Sequence, residues 1–301
     1  MSVRHFLEID DLRPDEVVEV LDRAEQPSLP QVLTGRSVGL YFEKPSLRTR
    51  HSCEVAVVQL GGHPVTFRQD EIGAGHREPL SDIARVLSGY HAALGARVFD
   101  HAVLEELAGA ATIPVINLLS DLGHPCQALA DLLTMRQSLG ELAGATVAWV
   151  GDFNNAARSL SLGATMLAMK VRLGCPPGYG PNEPDLDRLR ALGAEPVVVQ
   201  RPDEAVEGAA AVHTDVWASM GWEDEAEVRR QAFEGFTVDD RLMARAAPGA
   251  IFMHCLPAHR GEEVAASVVD GPQSRAIPQA HNRLHSFRGL LSWLLEQAER
   301  P

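Results

Sequence analysis

A chain of 301 residues is long enough for two domains of about 150 residues each and too long for one small stapled module. Hydrophobic residues make up 45% of it and charged residues 23%, the balance of a folded globular protein and not of a disordered one. With 27 Lys+Arg against 41 Asp+Glu the net charge is −14, which opposes nonspecific binding to nucleic acid or anionic lipid, so an anionic ligand has to be held by a local cluster of donors.

The first residues, Met1 to Glu8, turn acidic before any apolar stretch of signal type forms. No apolar run approaches the roughly 18 residues of a membrane span. A cytoplasmic location without membrane contact is therefore expected. Cys53, Cys126, Cys175 and Cys255 are widely spaced and form no C-x-x-C pair, so reduced thiols are expected in place of a disulfide framework or a zinc ribbon.

Short β-rich runs alternate with longer helical patterns, which predicts α/β architecture on parallel sheets. The first strand is read at Ser37–Phe42, followed after Pro45 by a helix from Ser46 to about Leu60 that ends at Gly61-Gly62. Strands follow at Pro64–Phe67, Ala96–Phe99 and Pro114–Leu118, then a helix over Pro125–Ser138 and a junction at Gly140–Gly144. A second series starts with a strand at Thr146–Gly151 and a helix over Asn155–Met169, with strands at Val171–Leu173, Pro196–Val199, Ala210–Thr214 and Ala250–His254. A terminal helix is expected over Asn282–Glu299, where Leu284, Phe287, Leu290, Leu291, Leu294 and Leu295 recur at helical spacing.

Five motifs sit where strands give way to helices or polar loops, the places where open α/β sheets bind ligands. In Phe42-Glu43-Lys44-Pro45-Ser46-Leu47-Arg48-Thr49-Arg50, helix amides, hydroxyls and guanidinium groups converge as a phosphate dianion requires; a helix cap followed by solvated arginines is the plain alternative. His124-Pro125-Cys126-Gln127 offers donors that can polarise a carbonyl oxygen, or else simply starts a helix. Gly151-Asp152-Phe153-Asn154-Asn155 lacks the glycines of a dinucleotide turn, yet its amides can hold a polar substrate or close an Asx turn. In the fourth motif, Asp215 to Gly221, Asp215 can pair with an ammonium group or cap a helix. In His254-Cys255-Leu256-Pro257, Cys255 reads as a polar contact, a nucleophile or an inert thiol. A metal held by His254, Cys255 and His259 is disfavoured because no ligand pair has the spacing to complete a site.

Together and in this order, these motifs resemble the aspartate/ornithine carbamoyltransferase family, and the last two resemble its ornithine branch. The resemblance spans nearly the whole chain. It implies two doubly wound parallel-sheet domains joined by helices, with the C-terminal helix packing back on the N-terminal domain. Residues 1–140, with a terminal helix at about 284–301, would bind carbamoyl phosphate, and residues 141–283 would bind ornithine. It further implies that Ser46, the Leu47 amide, Arg48 and Thr49 hold the phosphate, and that Arg97, His124 and Gln127 contact the carbamoyl group. Arg283 would reach carbamoyl phosphate, Cys255 and Leu256 would line the reaction site, and Asn155, Asp215, Ser219 and Met220 would hold L-ornithine. Arg97, His124 and Cys255 are the implied catalytic groups. No metal or organic cofactor is implied, and the assembly is a homotrimer or a multiple of it. The implied reaction yields L-citrulline and phosphate.

Four positions depart from the family pattern: Leu47 where Thr is frequent, Glu71 where Gln is common, Trp222 where Gln is usual and His281 where Glu is usual. They keep other readings in play: a carbamoyltransferase for putrescine or an acylated ornithine, or a weakly active paralogue with a binding or assembly role. A nicotinamide-dependent dehydrogenase is disfavoured by the missing glycine fingerprint.

Overall fold

A computed structural model describes residues 3–73, 77–218 and 225–299. The chain divides into two compact units, Met1–Ala130 with His281–Pro301, and Asp131–Ala280.

The first unit contains α1 (Pro14–Glu25), β1 (Ser37–Phe42), α2 (Leu47–Gln59), β2 (His63–Arg68), α3 (Gln69–Ile72), α4 (Leu80–Ser88), β3 (Ala93–Arg97), α5 (His101–Ala110), β4 (Val115–Leu119) and the start of α6 (Pro125–Leu139). Its four strands are parallel in the order β2-β1-β3-β4. The order reverses between β1 and β3, so the loops leaving these two strands part and open a crevice at their carboxyl ends. The strand ends are tied there: Glu43 N–H donates to the Arg97 carbonyl at 2.9 Å. Tyr41, Leu94, Ala96, Leu104 and Val115 form a core beneath this crevice with Leu80 and Ile83 of α4.

The second unit continues α6 and adds β5 (Thr146–Val150), α7 (Asn155–Met166), β6 (Lys170–Gly174), α8 (Glu183–Ala191), β7 (Val197–Val199), α9 (Pro202–Val206), β8 (Ala211–Thr214), α10 (Ala226–Ala232), α11 (Asp240–Met243), β9 (Ile251–His254), α12 (Ala266–Val269) and the first turns of α13 (Ala276–Glu299). Five parallel strands run in the order β7-β6-β5-β8-β9, reversing between β5 and β8. Val212, Phe233, Phe236, Val238 and Phe252 centre its core. Gln279 joins the two ends of this unit: its Nε2 donates to Asp131 Oδ1 at 2.6 Å, while its Oε1 accepts the His254 N–H at 2.9 Å.

The rest of α13 returns to the first unit, burying Phe287, Leu290, Leu291, Leu294 and Leu295. Arg23 of α1 pairs with Glu296 at 2.6 Å, and Gly289 lies against the α1 backbone. The doubly wound architecture and the returning terminal helix are as expected.

Three elements have a boundary three residues or more from expectation. The strand expected at Ala96–Phe99 is Ala93–Arg97; its register on β1 pairs Val38 with Ala93 and Phe42 with Arg97, a placement that an Ala/Gly-rich strand does not signal by β-branched residues. The helix expected to reach Met169 ends at Met166, where Ala168 adopts the left-handed conformation at φ 57°. The terminal helix starts at Ala276, six residues before Asn282; Pro278 is tolerated because amides of the first turn have no intrahelical acceptor.

Candidate active site

In the first unit, Ser46 caps α2 from an extended conformation, and its Oγ accepts the Thr49 N–H at 3.2 Å. The plain capping role is therefore real. It also leaves the earliest amides of a thirteen-residue helix, Leu47 among them, at the positive end of the helix dipole. Leu47 projects its side chain outward at 68% exposure, so replacing the more frequent Thr leaves the backbone contribution intact.

Two buried arginines from distant segments meet Thr49. Arg97, at the end of β3, places Nη1 3.5 Å from Thr49 Oγ1, and Arg283 of α13 donates from Nη2 to the same oxygen at 3.0 Å. Arg283 also donates from Nη1 to Gln127 Oε1 at 2.5 Å and approaches His124 Nε2 at 3.5 Å. Segments 46–49, 97, 124–127 and 283 are thus gathered by the β1/β3 reversal. In a protein of net charge −14, this concentration of fixed positive charge is suited to an anion.

Burial, and then the charges of Arg283, Arg97 and Arg48, hold the His124 imidazole well below its ordinary pKa. The shift favours the neutral imidazole, which can engage a carbonyl oxygen without adding net charge. A bound dianion opposes the guanidinium field and favours the imidazolium. Inorganic phosphate is therefore expected to move the His124 titration, followed by histidine NMR, to higher pH; a downward or absent shift would argue against an anion beside it.

Lys44 stacks over Phe99 at 4.1 Å, and its ammonium is shifted down by burial and by Arg97. Glu43 accepts from Tyr41 OH at 3.0 Å and from Phe99 N–H at 2.7 Å. The departure at Glu71 has a physical account: its Oε2 accepts the Arg68 N–H at 2.7 Å and closes the N-terminus of α3. That carboxylate is engaged in a local cap. His281 is exposed on α13.

In the second unit, Asp215 at the exit of β8 is oriented from two sides. Asn154 Nδ2 donates to Oδ2 at 2.9 Å, and Cys255 Sγ donates to Oδ1 at 2.9 Å. Asn154 also caps α7, its Oδ1 accepting from Ala156 and Ala157 N–H at 3.0 Å each; Asn155 is the first helical residue. Cys255 is thus arranged as a hydrogen-bond donor to a carboxylate, not as a thiolate nucleophile. Asp215, Asn154 and Cys255 present an oriented carboxylate suited to a substrate ammonium group.

Ser219 and Met220, with Gly221 and Trp222, lie outside the described residues. The residues on either side are joined by Arg229, which sequence reasoning missed. It pairs with Asp152 at 2.7 Å, donates to the Trp217 carbonyl at 3.0 Å, contacts Glu225 at 3.2 Å and lies over the Tyr179 ring. Burial pushes the Asp152 carboxyl up, and Arg229 pulls it back down.

A metal at His254, Cys255 and His259 is not supported by the donor geometry. His254 Nδ1 accepts the Leu256 N–H at 2.9 Å and Nε2 faces Glu263 Oε1 at 3.0 Å, so neither ring nitrogen offers a lone pair. His259 is exposed, with Nδ1 3.8 Å from Glu262.

Residues 4–137 match the description aspartate/ornithine carbamoyltransferase, carbamoyl-P binding domain, and residues 143–294 match its Asp/Orn binding domain. An ornithine carbamoyltransferase from Acidothermus cellulolyticus is 50% identical over 307 residues, covering 98% of this chain and 98% of the relative. Among solved structures, the ornithine carbamoyltransferase of Pyrococcus furiosus aligns with a TM-score of 0.93 at 41% identity, covering 98% of each chain. That of Thermus thermophilus aligns at 0.89 with 43% identity, covering 98% of this chain and 100% of its own. The anion site at one strand reversal, the oriented carboxylate at the other and a match through both halves have a single explanation: the chain belongs to the aspartate/ornithine carbamoyltransferase family.

Proposed function

We propose that this protein transfers the carbamoyl group of carbamoyl phosphate to the δ-amine of L-ornithine, giving L-citrulline and phosphate. The observation that carries the reading is the convergence of Arg97 and Arg283 on Thr49 at the N-terminus of α2. The first unit then takes carbamoyl phosphate, with Ser46, Leu47, Arg48 and Thr49 on the phosphate and Arg97, His124 and Gln127 on the carbamoyl group. The second unit takes ornithine, with Asp215 on the α-ammonium group beside Asn155, and with Ser219 and Met220 completing the site.

Carbamoyl phosphate is already an activated acyl donor, so no covalent enzyme intermediate is needed. The amine nitrogen forms a bond to the carbamoyl carbon, the carbon–oxygen bond to phosphate breaks, and the amine gives up a proton. Fixed guanidinium groups stabilise charge gathering on the leaving phosphate. An amine resembling that of Lys is neutral at pH 7 only at a cost of about 4 to 5 kcal/mol, which makes holding it against the carbon the main task.

Formation of arginine's precursor in the cytoplasm, by a homotrimer or a multiple of it, completes the proposal. Four free cysteines support a reducing compartment. Exposed Leu47, Val55 and Val58 fall on one side of α2 and support self-association. No helix among the described residues is long and apolar enough to cross a membrane.

The test is carbamoyl transfer to L-ornithine, putrescine, N-acetylornithine and aspartate in parallel, following phosphate release and ureido product. L-Ornithine is expected to be turned over selectively. Preference for putrescine or N-acetylornithine would reassign the amine, and failure of all four with folded protein would favour the paralogue with a binding role.

A further inference from the structure

We propose that Glu263 and His254 act as a positioning pair that sets the backbone of Leu256 for carbamoyl transfer, an inference that rests on the reaction proposed above. Leu256 has φ 59°, a left-handed conformation disfavoured for a side-chain-bearing residue because Cβ crowds the following carbonyl oxygen. Something must hold it there. Leu256 N–H donates to His254 Nδ1 at 2.9 Å, and since an amide can only donate, Nδ1 must be the unprotonated ring nitrogen. The ring hydrogen is then on Nε2, aimed at Glu263 Oε1 at 3.0 Å.

The same Glu263 oxygen accepts the His259 N–H at 2.6 Å, so one carboxylate secures the turn at both ends: at Leu256 through the imidazole, and at His259 directly. The main chain of His254 is held independently by Gln279, whose amide orientation is fixed by donation to Asp131 at 2.6 Å. His254, Glu263 and Gln279 are each fully buried, at 0% exposure.

Two observations favour a role beyond packing. Cys255, between the imidazole and the left-handed residue, donates to Asp215 at 2.9 Å, so rotation of this turn displaces a group that orients the Asp215 carboxylate. Glu263 Oε2 is buried with no hydrogen-bond partner among the described residues, a standing cost that an apolar side chain would avoid. The carboxylate accepts from Nε2 and so reinforces the tautomer and ring orientation that the Leu256 amide requires.

The test exploits the different reach of two amides. In His254→Asn the side-chain oxygen falls near the position of Nδ1 and can accept the Leu256 N–H. In His254→Gln the side chain extends toward Glu263 and leaves that amide without its acceptor. His254→Asn is expected to keep kcat within about tenfold of the parent. His254→Gln is expected to lose about a hundredfold in kcat, the scale of an ångström-sized misplacement, with KM for carbamoyl phosphate unchanged.

Hydrogen exchange of the Leu256 amide supplies a readout independent of turnover: its protection should fall about tenfold in the Gln variant and persist in the Asn variant. Equal losses in both variants, losses that follow Tm, or a matching change in KM for carbamoyl phosphate would overturn the inference. Failure of the underlying reaction reading is distinguishable, since it is seen as absence of ornithine turnover in the unaltered protein; that outcome overturns the inference with it.

Discussion

Replacing Arg283 by Met is expected to raise KM for carbamoyl phosphate by about a hundredfold and to leave KM for ornithine nearly unchanged. Each charge-assisted hydrogen bond contributes about 1.5–3 kcal/mol, and the change also strands two buried partners. Those partners are Thr49 Oγ1 at 3.0 Å and Gln127 Oε1 at 2.5 Å. Lysine restores the charge but not the fork that reaches both, so Arg283→Lys is expected to recover only part of the loss. A second signature separates charge from shape. After burial, the charge of Arg283 is the largest effect depressing His124, so the Met variant should titrate His124 at higher pH than the parent does. Steady-state kinetics in both substrates, with histidine NMR on both proteins, checks the two together. A raised KM for ornithine with no change for carbamoyl phosphate would place Arg283 outside the anion site.

The second large effect concerns stability. Gly289→Ala is expected to lower Tm by several degrees while leaving both KM values unchanged in the protein that remains folded. Alanine improves mid-helix propensity by about 1 kcal/mol, which taken alone predicts stabilisation. Its Cβ, however, would lie 2.6 Å from the Val20 carbonyl oxygen and 3.0 Å from Ala24 N. Both atoms belong to the backbone of α1, which cannot rotate away as a side chain can, and overpacking of this kind costs about 1–3 kcal/mol. The clash wins. Thermal unfolding of the parent and variant decides it, and a raised Tm would show that α1 and α13 separate at little cost.

Much of the fold was legible because its signals are local. Pro45-Ser46 announces the start of α2, Gly61-Gly62 its end, and the strands rich in Val, Leu and Ile fall within a residue or so of expectation. β3 was displaced because Ala93-Leu94-Gly95-Ala96 carries no β-branched residue, and pairing with β1 and β4 decides its ends. The candidate site divides the same way. Ser46, Thr49, His124 and Asp215 stand at strand exits, where parallel sheets place ligands. Glu263, Gln279 and Arg229 have common identities and no distinctive spacing, and Gln279 and Arg229 reach partners tens of residues away, Asp131 and Asp152. Only the folded geometry shows that one fixes an imidazole, another joins the ends of a unit and the third connects Trp217 to Asp152.

That join at the ends of the second unit bears on the order in which the chain can assemble. The first unit is discontinuous: residues 131–280, 150 in number by subtraction, intervene before His281 begins the segment carrying Arg283. Bringing the two ends of a flexible loop of that length together costs about 4 kcal/mol of closure entropy. The intervening unit is continuous, and once folded it carries its own entry and exit side by side, Asp131 and Gln279 being hydrogen-bonded at 2.6 Å. For α13 the loop then shortens from a long coil to a hydrogen-bonded clasp. A chain that folds its middle first therefore meets a small entropic barrier to completing the arginine cluster, and one that tries the reverse meets nearly all of it.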